Sequence, residues 1–304
     1  MPAELDLRYT KKLHKRRMTD KTREAIFGYV FIAVPVIGFL VFTLSALGYS
    51  LFMSFTNFNP IKNVFTFVGF DNYTSIFKDD FFITAFGNTW IMLLSIPIGT
   101  FLGFLLAIYL NKLARGRVIL MILYYLPAVT SSIAIMLVFR DIFRSDNGLI
   151  NSLFGMDLKW LGADPWLIKI AIIIKNVWGS IGGSMILYLA ILTTIPKSYY
   201  ESARVSGAKP LHGFVDITMP MANSTTFYII TTGIMAGLQS YADSAIFGNG
   251  LPGSRTIVYY IWQNGINAAQ YGYASAASMI LAFMILIITI FLFRFSSMFR
   301  SNIK

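Results

Sequence analysis

Long apolar runs alternate with short polar connections along this chain. A helix that crosses a bilayer needs about 20 consecutive, mostly apolar residues. Six runs reach that length, at 26–53, 82–110, 118–139, 166–192, 224–246 and 273–295. The first contains Pro35 and far exceeds the apolar core of about 7–15 residues found in a signal peptide. No small-x-small cleavage site follows it, so it is expected to stay as a span. The connections carry turn formers: Asn59-Pro60, Asp146-Asn147-Gly148, and Asn249 to Gly253. Short helices are predicted at 72–77, 149–154 and 255–264, the last with Tyr259, Tyr260 and Trp262 at interfacial depth. Gly99 and Gly103 give the second span a GxxxG face, and Ala274, Ser275, Ala277 and Ser278 give the sixth a small-residue face. Both are marks of close helix packing inside a membrane. The chain thus reads as all-α, with an arm over 1–25, a transmembrane body over 26–296 and a tail over 297–304.

Composition agrees with that pattern. The 304 residues are 56% hydrophobic and 13% charged, with 16% aromatic, whereas a soluble domain carries about 25% charged residues. A formal net charge of +11 would point to nucleic acid on a soluble protein. Here the cations lie between apolar runs, so they read as topogenic and no nucleic-acid partner is expected. Arg8, Lys11, Lys12, Lys15, Arg16, Arg17, Lys21 and Arg23 precede the first span. Lys112, Arg115 and Arg117 follow the second; Lys197, Arg204 and Lys209 follow the fourth; Arg294, Arg300 and Lys304 end the chain. The opposite connections dilute Lys62, Lys78, Arg140, Arg144, Lys159 and Arg255 with Asp71, Asp79, Asp80, Asp141, Asp146, Asp157 and Asp164. The positive-inside rule therefore puts both termini in the cytoplasm. Cysteine is absent, which excludes a disulfide framework, a thiolate zinc site and a cysteine nucleophile. His14 and His212 are too far apart for metal-ligand spacing, and no metal is expected.

One connection has its own apolar pattern. Over 195–220, Pro196 and Ser198 are placed to start and cap a short helix, Glu201 and Arg204 form a polar pair at i, i+3, and Gly207 can end the helix with positive φ. Pro210 starts a second helix on which Leu211, Phe214 and Ile217 repeat, and Pro220 opens the fifth span. Such a segment suits a knob that fits a cleft on a soluble protein, with Glu201 as its anionic tip. The alternative is a helix lying on the bilayer surface.

The spacing of Glu201-Ser202-Ala203, Gly207-Ala208, Phe214, Ile217 and Pro220 resembles the EAA loop of binding-protein-dependent ABC importer permeases. The departures are Ser202 for alanine and Ser206 where that family usually has aspartate. Further similarities follow in order: Ser54-Phe55-Thr56, Phe67 to Tyr73, Asn88-Thr89, Leu126-Pro127, Gly148 to Asn151, Trp178, Ile195-Pro196, Asn249 to Pro252, and Tyr271 to Ala276. They point to the carbohydrate-importing, maltose and multiple-sugar subgroup. The resemblance implies a type I importer permease fold of six spans in a bacterial cytoplasmic membrane. It implies a heterodimer with a second related permease, whose two loops insert into two ATP-binding subunits. An extracytoplasmic sugar-binding protein would deliver the cargo. Glu201, Ala203, Gly207, Ala208 and Pro220 would be the coupling residues.

Polar groups inside spans are costly and mark candidate pathways. Lys175, Asn176, Trp178 and Ser180 lie in the fourth span; Gln239, Ser240, Tyr241 and Asp243 lie near one end of the fifth. Aromatic faces with amide or carboxylate partners suit a sugar. The resemblance implies sugar contacts near Asn176, Ser180, Gln239 and Ser240. A structural pairing of Lys175 with Asp243 is the alternative. No Gly-Lys dipeptide occurs, so no Walker A loop can form, and ATP with Mg is expected on the partner subunits. The chain itself is not expected to be an enzyme, because no Ser/His/Asp cluster or carboxylate pair supports catalysis. An ion-coupled secondary transporter of a small polar solute is the competing function. It calls for an inverted repeat and a mid-membrane acidic pair, which a single acid near a span end fits poorly.

Overall fold

The computed structural model describes residues 20–113, 115–162 and 164–301. Arg8 to Arg17 of the basic arm and the end of the tail lie outside the described residues. The chain divides into two compact units, 1–52 and 53–304. In the first, helix Asp20–Gly38 passes through a π turn, Phe39–Leu44, into Ser45–Ser54, whose last two residues already belong to the second unit. Apolar side chains project from it in every direction, and Phe31, Val34, Phe42 and Tyr49 are all exposed. A helix apolar all round suits lipid.

Among the described residues, four helices are long and apolar enough to cross a membrane: Glu24–Ser54, Asp80–Lys112, Pro165–Thr194 and Tyr271–Arg294. The predicted third span is instead a pair of helices, Arg117–Val129 and Ser132–Ile142, bent by 97°. Pro127 has no N–H to continue the helical ladder. Three residues on, Thr130 takes an extended ψ of 149° and donates its hydroxyl to the Leu126 carbonyl at 2.8 Å. The fifth run forms helix Met219–Leu238, beginning before the predicted 224 because Pro220 is accepted in a first turn. It ends before the predicted 246. The chain turns at Gln239–Ala242 and resumes as a π turn, Asp243–Phe247. The polar run Asn223 to Thr226 leaves this helix less apolar than the four above.

Helix Pro165–Thr194 is the axis of the second unit and packs chiefly on Ser95–Lys112. Small residues set the separation. A Cβ added to Gly99 would stand 2.2 Å from Ser180 Oγ, and one on Gly103 would stand 2.6 Å from Ser184 Cβ. One on Gly182 would stand 2.0 Å from the Tyr124 carbonyl oxygen. Further along the same seam Phe104, Ala107 and Leu110 pack with Met185, Tyr188 and Leu189. With lipid as solvent, such packing rather than escape from water holds helices together.

The connections are tied by buried polar side chains. Asn72 Nδ2 donates to the carbonyls of Ser54 and Thr56 at 2.8 and 2.9 Å. Asn88 Nδ2 reaches the carbonyls of Pro252 and Arg255 at 2.7 and 3.0 Å, and Thr89 Oγ1 accepts from Ile257 N at 3.2 Å. Asn151 joins Ser145, Leu158 and Trp160. Tyr260 on the short helix Ile257–Trp262 donates to Asp79 Oδ2 at 2.6 Å and contacts Tyr273 Oη at 2.8 Å. Burial first, then these bonds, raises the Tyr260 phenol well above its ordinary range, so it stays protonated and donating.

Candidate functional site

A cavity of about 440 Å³ opens between the helices of the second unit, within the range of about 300–1,000 Å³ usual for ligand sites. One wall comes from Pro165–Thr194, where Asn176, Ser180 and Ser184 fall at i, i+4 and i+8 and so share a face. Ser95 and Thr100 face it from the second span, and Gly233 and Gly237 leave room from Met219–Leu238. The break after Leu238 supplies Ser240 and Asp243.

The polar centre of the wall is a buried ion pair. Lys175 Nζ lies 2.5 Å from Asp243 Oδ1, and each residue is 5% exposed. Asn176 Nδ2 at 3.1 Å and Ser240 Oγ at 3.0 Å both donate to Asp243 Oδ2. The structural pairing considered for Lys175 and Asp243 is therefore present, and it stands on the cavity wall. Neither ion could be removed singly at low cost: a buried charge stripped of its partner destabilises by about 3–5 kcal/mol.

The eight span residues singled out in the sequence do not converge. Lys175, Asn176, Ser180, Ser240 and Asp243 line one cavity. Trp178 turns the other way, packs on Phe139 at 5.1 Å between ring centres, and lines a smaller apolar cavity of about 210 Å³ beside the bent pair. Gln239 is exposed and its amide donates to its own helix, at Met235 O, 2.9 Å away. Tyr241 joins Tyr259 and Trp262 in an aromatic cluster with ring centres 6.3 and 5.4 Å away. Ser95, Thr100 and Ser184 were not singled out. The available signal was the GxxxG face, since Ser180 and Ser184 lie opposite Gly99 and Gly103.

The connection 195–220 forms helix Lys197–Val205, a short turn Pro210–His212 and a π turn Gly213–Thr218. Ser198 does not cap the first helix; Pro196 occupies the cap position and accepts Tyr199 N–H at 3.2 Å. Gly207 takes φ +78° and closes the helix: Ala208 N–H bonds Ala203 O at 2.9 Å and Gly207 N–H bonds Arg204 O at 3.0 Å. Glu201, Tyr199, Val205 and Leu211 are exposed, Val205 to 90%. Phe214 and Ile217 turn inward against the seam of the second and fourth spans, and Tyr200 Oη bonds Thr218 Oγ1 at 2.9 Å. Ala203 and Ala208 line a cavity of about 410 Å³ between this connection and the end of Ser95–Lys112. Pro220 lies in the first turn of Met219–Leu238. One face of the knob is thus anchored and the other presents apolar groups around a carboxylate.

The sequence matches the model of the family "Binding-protein-dependent transport system inner membrane component" over residues 95–303. It is 33% identical over 289 residues to the probable ABC transporter permease protein YesP of Bacillus subtilis strain 168, covering 90% of this chain and 92% of that one. It is 32% identical over 291 residues to the arabinooligosaccharides transport system permease protein AraP of the same strain, covering 90% of each. Among solved structures, a chain of a bacterial alginate ABC transporter, in complex with a periplasmic protein bound to alginate pentasaccharide, is similar with a TM-score of 0.77 and 25% identity, covering 91% of this chain and 96% of that one.

Proposed function

The chain belongs to the family of binding-protein-dependent transport system inner membrane components, and from that premise we propose that it is the permease subunit of an ATP-driven importer of carbohydrate, specifically of an oligosaccharide. One observation carries the reading. A cavity of about 440 Å³, mostly apolar but with one polar wall, lies between helices of a chain similar over 90% of its length to an arabinooligosaccharide permease. Lys175, Asn176, Ser180, Ser240 and Asp243 form this subunit's part of the sugar path. Trp178, Gln239 and Tyr241 lie outside the lining of this cavity and are not assigned to the path.

The chain is a transport subunit and not an enzyme, as its family membership establishes. ATP and Mg are handled by two separate ATP-binding subunits, and the exposed knob at Glu201 docks on one of them. Gly207, Ala203 and Ala208 keep its shape, and Pro220 joins it to the fifth span. A second, related permease completes the translocation path, and an extracytoplasmic sugar-binding protein delivers the cargo. The apolar helices sit in membrane lipid with both termini in the cytoplasm. The ion-coupled alternative has no support, because the fold is similar to that of an ABC transporter chain.

The test reverses the charge at the knob. Glu201→Lys is expected to abolish co-purification of the ATPase and sugar-stimulated ATP hydrolysis while the protein still inserts into membranes. Unchanged uptake by that variant would sink the docking assignment.

A further inference from the structure

The cavity of about 410 Å³ behind the knob has no part in the sugar path, yet its wall gathers charge of one sign. Three cations reach it from separate places. Lys112 ends helix Ser95–Lys112, Arg204 lies in the last turn of Lys197–Val205, and Lys209 precedes the turn Pro210–His212. Among the described residues no acidic side chain lines this cavity. Glu201, three residues before Arg204, forms no ion pair with it; the one ion pair among the described residues is Lys175 with Asp243, in the other cavity. All three cations are exposed, so they keep their water and await no partner within the chain. Like charges on a concave wall focus a positive field into it, and an anion seated there relieves their repulsion.

The rest of the wall narrows the choice of anion. Ile108, Leu192 and Phe214 line the same cavity, and all three belong to the apolar seam of the second and fourth spans. The cavity therefore runs from cations on the knob to apolar side chains at the ends of two spans. A soluble phosphate would satisfy the cations and leave that apolar wall in water. A phospholipid satisfies both, with its phosphate on the cations and its first acyl carbons on the seam. Basic pockets between transmembrane helices suit anionic headgroups, and they lie on the cytoplasmic side, where the knob is placed above.

We propose that this cavity holds the headgroup of an anionic phospholipid between Lys112, Arg204 and Lys209. The proposal rests on the reading of the knob as cytoplasmic. It is tested on the purified complex in detergent, titrated with dioleoyl phosphatidylglycerol or dioleoyl phosphatidylcholine, with bound lipid counted by native mass spectrometry. The anionic lipid is expected to bind at least ~tenfold more tightly, with the preference shrinking as salt is added. Lys112→Gln, Arg204→Gln and Lys209→Gln are each expected to weaken phosphatidylglycerol about fivefold. Lys197→Gln, which removes an exposed cation of the same connection outside the cavity, is expected to change it less than ~twofold. All four positions are exposed, so the variants should fold. Equal binding of the two lipids overturns the proposal, and so does an equal loss in Lys197→Gln, which would make the preference a property of the surface. Displacement of the lipid by glycerol phosphate at equal concentration assigns the cavity to a soluble phosphate and overturns it as well. Lipid binding seen only after the ATPase is stripped away assigns the cavity to the ATPase. The same spectra record which subunits co-purify, so a preparation that never retains an ATPase refutes the docking reading separately from the lipid preference.

Discussion

Adjacent glycines in the fourth-span helix face different surroundings. At Gly182 a Cβ would meet the Tyr124 carbonyl oxygen at 2.0 Å and Tyr125 Cα at 2.9 Å; at Gly183 it would meet nothing within 4 Å. Backbone atoms cannot swing aside as a side-chain tip can. Gly182→Ala is therefore expected to destabilise the protein by about 1–3 kcal/mol through overpacking. Gly183→Ala is expected to change stability by no more than about 0.5–1 kcal/mol, in the stabilising direction, because alanine is the better helix former. Thermal unfolding of the two purified variants, compared with the unaltered protein, decides it; equal losses would refute the close approach. The same helix shows what residue spacing could reveal. Asn176, Ser180 and Ser184 share one face by their spacing of four, whereas Trp178, two residues from Asn176, lies roughly 200° round the helix. Periodicity alone thus separates Trp178 from the polar wall. Ser95 and Thr100 escaped notice because a hydroxyl in a span is ordinarily satisfied by its own helix, and only the neighbours reveal a cavity beside it.

Among the elements, the knob was the most legible. Pro196, Gly207, Pro210 and Pro220 punctuate it, and each restricts the backbone in a way that neighbouring side chains do not override. Its helix ends as the glycine requires, with φ +78°. Gly207→Ala is expected to cost about 1–2 kcal/mol locally, the penalty for a side chain in the left-handed region, and to alter the angle between the two short pieces. ATPase retention on purification should fall for Gly207→Ala and recover in Gly207→Asn, since asparagine tolerates that conformation. Equal retention by both variants would show that the turn does not shape the docking surface. Two other elements were less legible. Pro127 marks a break but not its 97° angle, which depends on what the two halves pack against. The early end of the fifth helix at Leu238 goes with the pairing of Asp243 to Lys175, a partner 68 residues away that no local pattern discloses.

For the whole molecule, apolar run length and the placement of Lys and Arg carry most of the reading, because a bilayer tests every segment by the same rule. Native absence of cysteine makes sidedness easy to check, since a single introduced thiol is the only one present. Ser152→Cys, on the exposed face of helix Leu149–Phe154, is expected to react with a membrane-impermeant maleimide in intact cells. Ser198→Cys in the knob is expected to react only after lysis. The reverse pattern would invert the proposed orientation. The motif asparagines were visible as matches but not as ties; Asn72, Asn88 and Asn151 act by gathering carbonyls that are distant in sequence or locked in turns. The ion pair also imposes an order of events on synthesis. Lys175 leaves the ribosome 68 residues ahead of its counterion, an interval of roughly 3–14 s at a synthesis rate of about 5–20 residues per second. Throughout that time the fourth span carries a cation without the carboxylate that later neutralises it. The buried pair on the cavity wall can close only once the fifth segment has followed, so the final packing around Lys175 waits on it.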